Sequence, residues 1–451
     1  MLRTAKTIII LAAAIGVAPL LINAQEPAGE TLTLEQAIAA ALRDNTSVKN
    51  AEIETEKIGF AQAAFRTRRF PVFKTSVLVS QPLTRMVFTI EEGQFGTYPG
   101  TGPIPGTDSE IRSSMSPSAL VQGQIQQPLS QLFEINLNLK KFDINKELSR
   151  EQTRETRQTI IAELKTAYFQ ILQTESMLKN AEEVVRLNAE INRVTEQFVV
   201  KGVALIPEQM ETGTKLAQAQ YDLSTLRNRM TSQKEQLNYV MGRDIRREFN
   251  VVAGDSILRL AETDLAAAQK RALDQRPEIR QARLKIQQSN LDARIKKAER
   301  IPAVSVVANY LSPFSYSSFL PKNVASVGVQ VDWEVFDWGR KKRELAEKNL
   351  AIRQSENSLK EAESLVLLDV NAKFRKLRES ADQLKVMQMT QKTASANLQV
   401  ALNRYEQQSI LYKDLLRTEA GMTDANANYQ SALLAYWIAK AEFEKALGEE
   451  R

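Results

Sequence analysis

The residues able to do chemistry in this chain are carboxylates, lysines, arginines and amides, because its 451 residues include no histidine and no cysteine. That removes the commonest nucleophiles, proton shuttles and soft-metal ligands together. The chain does not read as an enzyme, and no cofactor or metal is expected. Hydrogen bonding and charge remain, and the most regularly spaced polar residues form two short series. Gln122, Gln124 and Gln126 recur at every second position, as do Gln330, Asp332 and Glu334. Period two places each series on one face of a strand. The intervening Val121, Gly123 and Ile125, and Val327, Val329, Val331, Trp333 and Val335, take the other face. Such a segment can wet a lumen on one side and touch lipid on the other. It equally suits a soluble sandwich with one wet face, and the strands alone leave both open. Trp333, Phe336 and Trp338 fit an interfacial girdle or packing at a junction.

Four segments carry this alternation, near 72–81, 119–128, 303–312 and 325–335. Each is about ten residues, the length a tilted strand needs to cross a bilayer. The stretch 82–118 between the first two, rich in Gly, Pro, Ser and Thr, reads as a loop, as does 313–324, and is too long for a mere connector. Helix dominates the rest. Residues 33–68 read as helix broken at Asn45-Thr46-Ser47, with Asn45 positioned as a cap; Asp264 and Arg276-Pro277 repeat the cap and the break. Residues 340–405 hold no proline or glycine. Their seven-residue ladders, Val370, Leu377, Leu384, Leu398, Tyr405 and Leu367, Phe374, Ala381, Leu402, have the spacing of a coiled coil. Gln391 interrupts the first ladder, Gln388 and Ser395 the second. These mark a polar layer facing a lumen or a heptad skip. Leu164, Ile171, Leu178 and Val185 form the matching ladder earlier. A helix of about 65 residues is on the order of 100 Å long. No compact domain needs that.

The chain is also duplicated. Adding 231 turns Leu34 into Leu265, Ala37 into Ala268, Ala41 into Ala272, Val48 into Ile279 and Pro71 into Pro302. A later block repeats at 206, pairing Val121, Gln124 and Ile125 with Val327, Gln330 and Val331. One long repeat built twice points to a pseudo-symmetric body. Residues 1–24 read as a secretory signal peptide, with Arg3 and Lys6 before an apolar run that ends at Ala24. The first repeat is 25–250, with a helical hairpin at about 131–242 and its tip near 200–207. The second is 251–451, with a hairpin at about 340–447 and its tip near 406–413. Losing Arg3 and Lys6 lowers the formal charge from +6 to +4, too mild and dispersed for nucleic acid. Without cysteine there is no disulfide and no lipid anchor through a thiol.

The expected fold is therefore a mixed α/β membrane protein: a transmembrane β-barrel with four strands per protomer plus a long antiparallel coiled-coil α-barrel, internally duplicated. Four strands cannot close a ring, and open edges in hydrocarbon leave backbone groups unpaired at several kcal/mol each. The strands must be shared. Two protomers would give eight strands, whose side chains largely fill the interior; three would give twelve and room for water. Gln122, Gln124, Gln126, Gln330, Asp332 and Glu334 would then line the lumen.

This layout, the block from Val331 to Arg340 (Val-Asp-Trp-Glu-Val-Phe-Asp-Trp-Gly-Arg) and the turns near Gly202 and Gln408 resemble the TolC-type outer-membrane efflux family over about 31–448. The resemblance implies a homotrimer in outer-membrane lipid, extending as a tunnel into the periplasm. It implies an exit duct for tripartite efflux or type I secretion, working with a periplasmic adaptor (membrane fusion) protein and an inner-membrane transporter. The hairpin tips would be the closed aperture and the adaptor-docking surface: Gly202, Val203, Ala204 and Leu205 on one side, Gln408, Ser409, Ile410 and Leu411 on the other. Tyr405 and Asp414 match the family's nine-residue spacing there, and Arg417 stands where a second aspartate is common. Gly202 matches its turn glycine, and Glu208 falls where an acid is usual. Asp414 and Glu208 also suit plain helix N-termini. In a trimer they would form a ring that repels itself and attracts a cation, or that pairs with Arg417 to lock the closed state. A periplasmic coiled-coil adaptor and a scaffold without a pore are the alternatives, but adaptors carry one hairpin and no duplication. The exported substrate is not legible.

Overall fold

The computed structural model describes residues 30–85, 87–112, 115–202, 205–252, 264–314, 323–407, 409–410 and 412–449. The expected signal peptide at 1–24 lies outside them. In chain order the elements are β1 (Glu30–Leu32), α1 (Leu34–Asp44), α2 (Thr46–Arg66), β2 (Val72–Ser80), β3 (Val87–Ile90), β4 (Thr97–Tyr98), β5 (Gly102–Pro103), β6 (Ser109–Arg112) and β7 (Ser118–Pro128). There follow α3 (Gln131–Val200), α4 (Ile206–Met241), β8 (Phe249–Val251), α5 (Leu265–Gln275), α6 (Pro277–Ala298), β9 (Ala303–Phe314), β10 (Val324–Asp332), α7 (Arg340–Glu406) and α8 (Tyr412–Ala446).

Side-chain chemistry sets the helix ends. Thr33 and Gln36 cap α1 reciprocally, each side chain accepting from the other's amide at 3.2 and 3.0 Å. Asn45 opens α2, its Oδ1 accepting from Ser47 N at 2.8 Å, and Asp264 does the same for α5 with Ala267 N at 3.3 Å. The duplication is visible in burial: Ala37, Ala41 and Val48 are buried, and so are Ala268, Ala272 and Ile279. It also governs how each hairpin returns. Gly242 ends α4 at φ +70°, and a Cβ there would stand 2.4 Å from the Asp44 carbonyl oxygen. Gly448 follows α8 at φ +83°, and its Cβ would meet Gln275 and Arg276 backbone at 3.1 Å. Each returning helix is seated against the break between two short helices, where only glycine permits both the left-handed turn and the close approach.

The four long strands form one antiparallel sheet in the order β10-β9-β7-β2. β10 stops at Asp332, three residues before the end expected at 335. Its partner β9 begins at Ala303, opposite Asp332, and the preceding Pro302 has no N–H to extend the ladder. Segment 82–118, expected as loop, holds the ribbons β3–β6 and β4–β5. β1 pairs in parallel with β8, tying Glu30–Leu32 to Phe249–Val251.

The main core is where the short helices meet the long ones. Leu164, Tyr168, Phe169 and Ile171 of α3 pack with Ala37, Ala41, Val48, Leu237, Met241, Phe249, Tyr436 and Trp437. Tyr168 is fully buried, and its hydroxyl lies 2.8 Å from the carbonyls of Leu32 and Val252. A second cluster gathers Ala268, Ala272, Ile279, Val366, Val370 and Phe443. Among the described residues no helix is long and apolar enough to cross a membrane.

Candidate functional site: the two-faced sheet and the hairpin tips

Strand register decides what the sheet presents, since residues paired across an antiparallel ladder share a face. Gln122 pairs with Ser76 and Leu311, Gln124 with Lys74 and Asn309, and Gln126 with Val72 and Val307. On the far side Gln330 pairs with Ser305, and Asp332 with Ala303. One face thus gathers Lys74, Ser76, Gln122, Gln124, Gln126, Ser305, Asn309, Ser326, Gln330 and Asp332. The opposite face carries Phe73, Val77, Val79, Val121, Ile125, Val304, Val306, Val327, Val329 and Val331. Within one protomer Val327 is 78% and Phe73 73% exposed, an apolar surface with nothing on it. β2 and β10 are the edges, each with one side of its ladder unpaired in the protomer.

Glu334 lies two residues past the strand, off that polar face. It pairs with Arg340 at 2.6 Å and Lys341 at 3.2 Å, and those cations hold its carboxyl below the usual glutamate range. Asp337 caps α7, accepting from Gly339 N at 3.0 Å and Lys341 N at 2.9 Å. The Lys341 amide leads the effects that lower its pKa. Between them Trp338 adopts φ +56° and stacks edge-on to Phe336 at 4.8 Å. Trp333, Phe336 and Trp338 are all exposed at this junction of strand and helix.

At the other end, roughly 100 Å away along α3, the chain reverses twice. Gly202 takes φ +70° and donates to Val199 O at 2.9 Å. Leu205 N donates to the Glu208 carboxylate at 3.3 Å, so Glu208 closes the first turn of α4. The second reversal manages without glycine: the Ser409 amide and hydroxyl both donate to Arg404 O, at 2.8 and 2.9 Å. Ser409 is exposed and Ile410 half-buried. Asp414 and Arg417 are exposed on the first turns of α8, and among the described residues neither forms an ion pair. Val203, Ala204, Gln408, Leu411 and the Tyr405 side chain lie outside the described residues.

Two further features stand at this end. Val200, Leu205, Ile206 and Met210 are each at least 66% exposed, an apolar patch around the first tip. Further up, Asn188 Nδ2 donates to Glu419 Oε1 at 3.1 Å across the contact of α3 with α8. The signal for the second was present: Leu415, Glu419, Met422 and Asn426 step at helical core spacing, with an acid among them. Gln391, the ladder interruption, donates to Asn426 at 2.8 Å within its own hairpin. Gln388 and Ser395 are exposed in the protomer.

The family model "Outer membrane efflux protein" matches residues 37–243 and 268–449. Among solved structures, the chain is similar to the Campylobacter jejuni CmeC outer membrane channel (14% identity, TM-score 0.73, 92% of this chain and 85% of that one). It is also similar to the open state of the Neisseria gonorrhoeae MtrE outer membrane channel (17%, 0.69, 92% and 89%). A third is the Vibrio cholerae outer membrane protein VceC (14%, 0.69, 92% and 96%). At these identities the structures speak for a shared fold. No curated protein matches in sequence.

Proposed function

The chain belongs to the outer membrane efflux protein family, and on that premise we propose that three copies close a single twelve-stranded barrel whose bore continues between their helical hairpins. The protein is an outer-membrane efflux duct reaching into the periplasm, not an adaptor without a pore, and its family is one of channels rather than enzymes. The observation that carries the trimer is the sheet: one polar face, one bare apolar face and two open edges. Because β2, β7, β9 and β10 alternate in direction, β10 of one protomer meets β2 of the next antiparallel, and every edge is satisfied. Three copies leave a wettable bore lined by Gln122, Gln124, Gln126, Gln330 and Asp332. On α7, Leu365, Leu368, Val386 and Met389 are exposed in the protomer and would be covered by a sister's helices.

The tips supply the aperture and the docking surface. Asp414, repeated about the threefold axis, makes a carboxylate ring, with Arg417 one turn on and Glu208 beside it. The patch of Val200, Leu205, Ile206 and Met210 fits the apolar face of a periplasmic adaptor's helical hairpin, through which an inner-membrane transporter would drive export. Single-channel recording in planar bilayers tests the aperture. Asp414→Lys should change conductance from the tip side by severalfold and abolish block by divalent cations. Unchanged conductance and block would remove Asp414 from the constriction.

A further inference from the structure

Among the described residues only two charged side chains are buried, Lys165 and Glu419. Both sit where α3 meets α8, which is where one hairpin of the protomer meets the other. Lys165 has a full counter-charge, Glu444 at 2.5 Å. Glu419, about 35 Å further along the seam by helix rise, faces the neutral amide of Asn188. A buried carboxylate held by an amide is costly when ionised and inexpensive when protonated. A cleft of about 840 Å³ runs beside it, lined by Glu183, Arg186, Glu190 and Arg193 of α3, Leu398 of α7, and Met422 and Asn426 of α8. Water therefore stands ready to enter if the helices part.

We infer that Asn188 and Glu419 form a proton-responsive latch that holds the two hairpins of a protomer together while Glu419 is neutral and lets them part when it ionises. The inference rests on the duct reading above, because the helices that part are those that frame the aperture. The surrounding charges do not supply an alternative sensor. Arg186 pairs with Glu183 and Arg193 with Glu190 on the exposed side of α3. Lys215 on α4 is the one cation whose field reaches Glu419 appreciably. On α8 itself Asp414 and Arg417 are exposed. Burial pushes the Glu419 carboxyl above the usual glutamate range, with the Asn188 amide and Lys215 only partly opposing it. Parting the helices returns the group to water and to an ordinary pKa. The closed seam thus binds the proton more tightly than the open one. Its extra stability is fully present below the open-state pKa and is lost as pH rises through the closed-state value.

The test uses the purified trimer with spin labels on cysteines introduced at Ala189 and Thr423, on either side of the seam in a chain with no native cysteine. Raising the pH from about 4 to about 8 spans the relevant carboxyl range. The label separation in the parent should lengthen at a midpoint above the ordinary glutamate value. Glu419→Gln should keep it short throughout, and Asn188→Asp, which sets a second carboxylate opposite, should lengthen it at neutral pH. A pH response in Glu419→Gln equal to the parent's would overturn the latch, as would an unchanged separation in a folded Asn188→Asp trimer. Bilayer recording of the same samples separates the two readings. A trimer that inserts yet passes no ions at any pH refutes the duct, while the label distances still decide the latch.

Discussion

Two stretches of the same long helices are packed by different means. Near the short helices, α3 buries Ile160, Leu164, Tyr168, Phe169, Ile171 and Leu172; beyond Thr174 it buries only Asn188, Ile191 and Thr195. α8 follows suit in part, with Tyr436, Trp437 and Phe443 at the belt and, toward the tip, Leu415 as the one large apolar side chain buried beside Glu419, Ala425 and Gln430 among the described residues. Each buried large apolar side chain contributes about 1.5–3 kcal/mol, whereas a paired amide nets about 1 kcal/mol, because water offers nearly the same bond. The belt is therefore a fixed collar. The distal contacts, Asn188 with Glu419 between the hairpins and Asn192 with Thr212 at 2.8 Å and Gln391 with Asn426 within them, can exchange their bonds for water at little cost. On the reading proposed above, these permissive contacts lie toward the hairpin tips, where the proposed aperture would have to open.

Gly242 probes the collar most severely. Gly242→Ala forces a Cβ against the Asp44 carbonyl at a left-handed backbone, and neither backbone can yield. It should cost more than about 3 kcal/mol and lower the yield of trimer resistant to mild heating. Recovery of trimer at the parent's level and melting temperature would mean that the collar is not a rigid seat. The distal region should respond in the opposite sense. Replacing Gln391 and Asn426 together by leucine removes both partners of one hydrogen bond, and the result should lie between neutral and about 1 kcal/mol more stable. Hydrogen exchange around 385–395 and 420–430 measures it. A loss as large as that at Gly242 would erase the distinction between the two regions.

Much of this was legible in the sequence, for reasons that differ by element. The strands announced themselves because Gln122, Gln124 and Gln126 alternate with apolar residues, and the hairpins because seven-residue ladders, apolar at most steps, run from Leu367 and Val370 to Leu402 and Tyr405. The repeat was plain because Ala37, Ala41 and Val48 need the same buried seats as Ala268, Ala272 and Ile279. Other features depend on the partner rather than on the segment. β10 ends at Asp332 although the alternation continues to Val335, since the limit is set by where β9 begins. β1 and β8 are three residues each, too short for any period to register. Glu334 has the spacing of a strand residue but is claimed by Arg340 and Lys341. The Asn188–Glu419 contact joins residues 231 apart, so the spacing that puts Glu419 on a core face does not identify Asn188 as its partner.

Closure of the sheet by sister chains is the point on which the rest depends, and cysteine cross-linking tests it directly. With one cysteine fixed at Val77 on β2 and a second moved through Val327, Val329 and Val331 on β10, no bond can form within a protomer. β7 and β9 intervene, separating the two strands by roughly 14 Å. Oxidation in outer membranes should yield covalent dimers and trimers on denaturing gels, strongest at one register position. Monomer alone at all three positions, from a protein that leaves the membrane without detergent, would contradict the shared barrel.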